Sequence, residues 1–140
     1  IMAAIGLVQL KRYKGMLEKR RKFIEIYNEF LSDERFILPK HYGENFSSSG
    51  HLYLLRIKGI TKEQRGEIIE RMAEKGIATN VHYKPLPLLT AYKNLGFDIK
   101  DFPNAYAQFE NEITLPLNTK MSEEDVVYTA ETLKEILKDF

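Results

Sequence analysis

His51-Leu52-Tyr53-Leu54-Leu55-Arg56-Ile57-Lys58, then a helical pattern from Thr61 to Gly76, then Ile77-Ala78-Thr79-Asn80-Val81-His82: this stretch decides the fold. The first run places His51, Tyr53 and Leu55 on one face, with Leu52, Leu54 and Ile57 straddling the other, which is the period of a strand. Gly59 ends it. Thr61 and Gln64 form a capping-box pair that starts a helix. Ile68, Ile69, Met72 and Ala73 make its inner stripe, and Gly76 sits where a left-handed cap is expected. Ile77 to His82 reads as a second strand. A strand, a helix and a strand within about thirty residues predict a crossover unit or its split form.

Downstream, Leu88 to Gly96 predicts a short helix ended by glycine. Pro103 to Asn111 predicts another, with Ala105 and Phe109 facing inward. Ile113-Thr114-Leu115-Pro116-Leu117 predicts a short strand that Pro116 restricts to an edge or a terminus. Ser122 and Asp125 cap a closing helix whose Val126, Ala130, Leu133 and Leu137 form an apolar stripe. Upstream, Asp33 to Ser49 is a polar connector broken by Pro39 and Gly43. Before it, Leu10, Tyr13, Leu17, Ile24, Tyr27 and Leu31 recur at helical spacing, with Lys19, Arg20, Arg21 and Lys22 outside the stripe as a solvated face. The opening, Ile1 to Val8, is apolar all round, the signature of a buried helix. A chain that opens this way is expected to be a piece of a larger protein or to carry an obligate partner surface. The fold class is therefore α+β, a small antiparallel or mixed sheet of about three strands backed by helices and preceded by one long helix.

The composition excludes several functions. The chain has 140 residues, 44% of them hydrophobic and 29% charged, with a formal net charge of +1. One domain with a real core fits that length, and near-neutral charge gives no footprint for nucleic acid. No apolar run is long enough to span a bilayer, and basic residues follow the apolar start instead of preceding it, the wrong order for a signal peptide. Cysteine is absent, so no disulfide, thiolate nucleophile or zinc-thiolate site exists, as suits a cytoplasmic protein.

The chemistry concentrates in Thr79-Asn80-Val81-His82-Tyr83-Lys84-Pro85-Leu86-Pro87. There a strand ends in three polar side chains, and two prolines force the backbone out of the sheet onto an exposed rim. His82 and Tyr83 are the candidates for meeting a ligand. Lys84 offers an auxiliary charge, because its neighbours supply no apolar pocket to depress its pKa. His51 begins a strand and serves packing at least as well as chemistry, and His41 lies in the connector as a solvated residue. The three histidines match no metal-ligand spacing, no glycine-rich phosphate loop is present, and Ser47 to Ser49 lack a nucleophile elbow. No self-sufficient catalytic set emerges.

Ala3-Ala4-Ile5-Gly6-Leu7-Val8-Gln9-Leu10 with the basic helix after it, His51-Leu52-Tyr53, Asn80-Val81-His82-Tyr83-Lys84-Pro85-Leu86, Phe102-Pro103-Asn104-Ala105, Ile113 to Leu117 and Met121 to Val126 together resemble, in order, the DegT/DnrJ/StrS family of pyridoxal-phosphate sugar aminotransferases. The resemblance covers essentially the whole chain. It implies the C-terminal small domain of a fold-type-I enzyme, with residues 1–32 as the interdomain helix and 33–140 as the small α+β domain. It implies that the large cofactor-bearing domain, and with it the cofactor lysine, lies outside this chain, so that this chain alone holds no pyridoxal phosphate. In the intact enzyme, commonly a homodimer, an amino group from a donor such as glutamate would pass to a keto group of a nucleotide-linked sugar, for cell-surface polysaccharide or related sugar synthesis. His82 and Tyr83 would then line the sugar or diphosphate side of the cleft as hydrogen-bond donors, with Lys84 adding charge and His51 nearby. A sugar dehydratase of the same family stays open, because the lysine that separates the two lies outside the chain, and so does a non-catalytic α+β binding or regulatory module.

Overall fold

The computed structural model describes residues 1–140. Helix α1 runs over Met2–Phe30. Three short strands follow in the connector, β1 (Phe36–Ile37), β2 (Tyr42–Gly43) and β3 (Phe46–Ser47), and then β4 (Tyr53–Ile57). Helix α2 (Lys62–Glu74) leads through a proline-rich loop to α3 (Thr90–Asn94), α4 (Pro103–Asn111), β5 (Glu112–Leu115) and α5 (Glu123–Ile136). The main sheet has the order β1-β4-β5, antiparallel throughout, and β2 and β3 form a separate hairpin. This is the α+β class the sequence predicts.

The split form of the crossover is the one that occurs. Residues 77–82 make no full strand. A single antiparallel bridge joins Asn80 to Thr114, held by Asn80 N–H to Thr114 O at 3.2 Å and Thr114 N–H to Asn80 O at 2.8 Å. Because β4 is also antiparallel to β5, the segment around Asn80 runs parallel to β4 with β5 inserted between them. In this register Pro116, opposite residue 78, lacks the N–H to lengthen the pairing at one end, and at the other the His82 N–H goes to the Glu112 side chain.

Both predicted capping boxes form, Thr61 with Gln64 and Ser122 with Asp125. Gly76 has φ of +76° and ends α2 as expected, and Gly50, at φ +60°, passes so close to α1 that a Cβ would stand 3.0 Å from Ile24 Cδ1. The core collects Phe23, Ile24, Tyr27 and Leu31 of α1, Tyr53, Leu55 and Ile57 of β4, Ile68 and Met72 of α2, and Val126, Ala130 and Leu133 of α5. Of the other inward positions expected, Phe109 is buried, whereas Ala73 and Ala105 are exposed. Tyr27 and Tyr53 pack with ring centroids 4.7 Å apart. Both tyrosine hydroxyls are satisfied: Tyr27 donates to Pro116 O and Tyr53 to Asn28 Oδ1, both at 2.8 Å.

Within the chain the opening of α1 is bare, as an apolar turn without its covering partner should be: Ile1, Met2, Ile5, Leu7, Val8 and Leu10 are all exposed. The stripe meets the core only from Phe23 onward, and Leu10 and Tyr13 are exposed. One expectation for α1 needs correction: the basic run is not merely a solvated face. Lys19 donates to Thr119 O at 2.9 Å, Arg20 to Ser49 O at 3.4 Å, and Lys22 pairs with Glu123 at 2.5 Å, so three of its cations tie α1 to the loops and helix beside it.

Candidate functional site

His82 stands beside the N-terminal end of β5, two residues past the Asn80 bridge, and β5 supplies what fixes it. Strands alternate their side chains, and the β5 sequence Glu112-Ile113-Thr114-Leu115 puts two polar groups on one face. Glu112 is 1% exposed and Thr114 5%. Glu112 Oε2 accepts the backbone N–H of His82 at 3.0 Å, and Glu112 Oε1 accepts the Thr114 hydroxyl at 2.5 Å. Thr114 Oγ1 is in turn 2.8 Å from His82 Nδ1. Burial pushes the Glu112 carboxyl up, partly offset by these two donors and by the nearby Arg65 charge. Arg65 is itself buried, donates to Phe109 O, and lies 4.6 Å over the Phe109 ring, which locks α4 to α2 just before β5. Arg56 adds a second clamp, to Asn111 Oδ1 and Ala107 O, both at 3.0 Å.

The rest of the rim is open. Tyr83 is exposed and meets the His82 ring edge-on, with centroids 4.6 Å apart and planes at 90°. Lys84 is exposed and makes no ion pair. Beyond it lies an apolar recess of about 340 Å³ between the proline loop and α3–α4, lined by Pro85, Leu86, Pro87, Tyr92, Phe97 and Phe102. The rim thus has a polar half and an apolar half. Its lysine is exposed, without the apolar burial that favours imine formation with an aldehyde cofactor.

His82, Tyr83 and Lys84 come together as expected. His51 does not join them: β4 runs antiparallel to β5 with Tyr53 opposite Leu115, so His51 lies toward the Leu117 end and His82 toward the Glu112 end. At about 3.3 Å per residue that separates them by roughly 15 Å along the strand. His41 is a correction: it is buried, not solvated, with Nδ1 3.1 Å from Ser48 Oγ, its ring stacked on Tyr53 at 5.9 Å, and Nε2 without a partner. The residues missed in the sequence are Glu112 and Thr114. Their signal was a polar period of two inside an otherwise apolar strand.

With this geometry in view, the chain matches the DegT/DnrJ/EryC1/StrS aminotransferase family over residues 1–134. Among solved structures it superposes at TM-score 0.95, with 51% identity, on a protein of Streptococcus pneumoniae assigned as a sugar aminotransferase and solved in PMP, apo and PLP forms; 99% of this chain and 35% of that one are covered. It is 30% identical to the spore coat polysaccharide biosynthesis protein SpsC of Bacillus subtilis, over 99% of this chain and 36% of SpsC. It is likewise 30% identical to the UDP-4-amino-4,6-dideoxy-N-acetyl-beta-L-altrosamine transaminase of Helicobacter pylori, over 100% of this chain and 37% of that enzyme. The chain therefore spans little more than a third of the length of the curated relatives it matches.

Proposed function

The chain belongs to the DegT/DnrJ/EryC1/StrS aminotransferase family, and from that premise we propose that it is the C-terminal part of a pyridoxal-phosphate-dependent enzyme that aminates a keto group on a nucleotide-linked sugar. The observation that carries this reading is the family match across residues 1–134 of a chain only about a third as long as its relatives. Glutamate is the amino donor in this reading, and the pathway is one of polysaccharide or related sugar synthesis in the cytoplasm. No helix is long and apolar enough to cross a membrane.

In this reading residues 1–32 form the helix between domains and residues 33–140 the small domain. A large domain outside this chain holds the cofactor, which supplies the carbanion chemistry when bound. The exposed lysine and apolar recess at the rim support that division of labour. His82, Tyr83 and Lys84 hold and orient the sugar and its diphosphate; His51, at the far end of β4, has no part in the cluster. The bare apolar start of α1 is the surface covered by the large domain or by the second subunit of a homodimer, since exposed apolar area of this extent marks an interaction face.

The test is amination of a panel of UDP-, dTDP- and GDP-linked keto-sugars by the enzyme from the complete coding sequence, with glutamate as donor. Formation of an amino-sugar nucleotide with matching 2-oxoglutarate supports the proposal. No product from any panel member, in an enzyme that carries its cofactor, would overturn it.

A further inference from the structure

We propose that Glu112 and Thr114 are positioning residues that hold His82 as the Nδ1–H tautomer, so that the neutral ring turns its Nε2 lone pair outward to accept a hydrogen bond from a ligand hydroxyl. The ligand part of this inference rests on His82 being a substrate contact; the tautomer rests on distances alone.

A threonine hydroxyl has one proton to give and two lone pairs. The 2.5 Å separation from Thr114 Oγ1 to Glu112 Oε1 is that of a hydroxyl given to a carboxylate. Glu112 also accepts the His82 N–H on its other oxygen, so both of its oxygens act as acceptors, and Arg65 is the nearby cation. With its only proton directed at Glu112, Thr114 Oγ1 can do nothing but accept from His82 Nδ1, 2.8 Å away. Nδ1 therefore carries the ring proton. Glu112 and Thr114 are buried, so bulk water does not compete for these bonds. Nε2 has no partner within the chain and faces the rim.

The consequence inverts the role the sequence suggests for this histidine. In its neutral Nδ1–H form the His82 ring accepts at its outward nitrogen. A sugar hydroxyl satisfies that nitrogen, whereas a phosphate oxygen, with only lone pairs to offer, is repelled by it. At this position the site therefore selects the sugar and not the diphosphate, which leaves the phosphate oxygens to Tyr83 and Lys84.

The test is long-range proton–nitrogen correlation NMR on the 15N-labelled chain at about pH 8, above the ordinary imidazole range. The expected pattern has a protonated Nδ1 and a bare Nε2 for His82, the reverse of the form that predominates in an open peptide. Thr114→Val should return His82 to the open-peptide preference, and Thr114→Ser should keep the Nδ1–H form. A wild-type His82 with its proton on Nε2 would overturn the proposal, and that reading alone decides the matter if Thr114→Val does not fold. A Thr114→Val ring unchanged from wild type would overturn the part assigned to Thr114. An Nδ1–H His82 whose replacement leaves turnover of the complete enzyme untouched would remove its ligand role while the tautomer stands.

Discussion

Replacing Glu112 by alanine should destabilise the chain by about 2–4 kcal/mol. The carboxylate accepts two hydrogen bonds, from Thr114 Oγ1 and from the His82 N–H. Bonds to a charged acceptor contribute roughly 1.5–3 kcal/mol each, and an orphaned buried N–H costs about 1–3 kcal/mol. Two effects reduce the loss. The His82 ring can move its proton to Nε2 so that the Thr114 hydroxyl donates to Nδ1, and the variant no longer has to desolvate a carboxylate, a burden visible in the upward displacement of the Glu112 pKa. Against a urea slope of about 1–3 kcal/mol per molar, the midpoint should fall by roughly 1–2 M. Glu112→Gln keeps the shape and one acceptor oxygen, so it should lose about 1 kcal/mol or less. The pH dependence carries a sign. A carboxyl raised in the folded state binds its proton more tightly there than when unfolded, so the contribution is present below the ordinary carboxylate value and is lost as pH rises through the folded value. The wild-type margin over Glu112→Gln should therefore narrow across that window. An alanine variant within about 0.5 kcal/mol of wild type, the ordinary range for a neutral surface change, would refute this account of the buried pair.

Other outcomes follow from the same structure. Burial holds the His41 ring below the ordinary histidine value, so the unfolded chain binds the proton first as pH falls. Stability should decline as pH drops below about 6.5, and His41→Phe should flatten that part of a pH series of urea melts. Tyr27→Phe orphans Pro116 O and should lower the unfolding free energy by about 1–2 kcal/mol, measured the same way. Pyridoxal phosphate added to this chain and trapped with borohydride should leave no stoichiometric adduct; mass spectrometry showing one on a single lysine would contradict placing the cofactor in another domain.

The elements whose signals are local were legible in the sequence. Both capping boxes, the glycine end of α2, the Pro103–Asn111 helix and the α5 stripe depend on residues three or four apart, and each forms where its residues stand. What was not legible depends on partners distant in sequence. Residues 77–82 carry a strand pattern, yet only Asn80 finds a partner, because Pro116 lacks the N–H to pair opposite residue 78 and the Glu112 side chain takes the His82 N–H. The hairpin of β2 and β3 hid in a connector whose polarity read as loop. Lys19 and Arg20 look solvated in sequence and reach carbonyls 100 and 29 residues away. At the site, His82, Tyr83 and Lys84 stood out because polar residues before a proline turn are exposed by local geometry. Glu112 and Thr114 lie 30 and 32 residues from His82, and nothing local reveals that they hold it.

The central claim is that the His82–Tyr83 rim positions the sugar and its diphosphate while the cofactor is held elsewhere. The most direct measurement compares His82→Ala and Tyr83→Phe with wild type in the enzyme from the complete coding sequence, reading cofactor content by its visible absorbance and kcat/KM for the best keto-sugar nucleotide of the panel. The account predicts full cofactor content and a fall in kcat/KM of about tenfold or more, the effect of roughly 1.4 kcal/mol of lost substrate positioning. Unchanged turnover in both variants, or a loss of cofactor that matches the loss of activity, would contradict it.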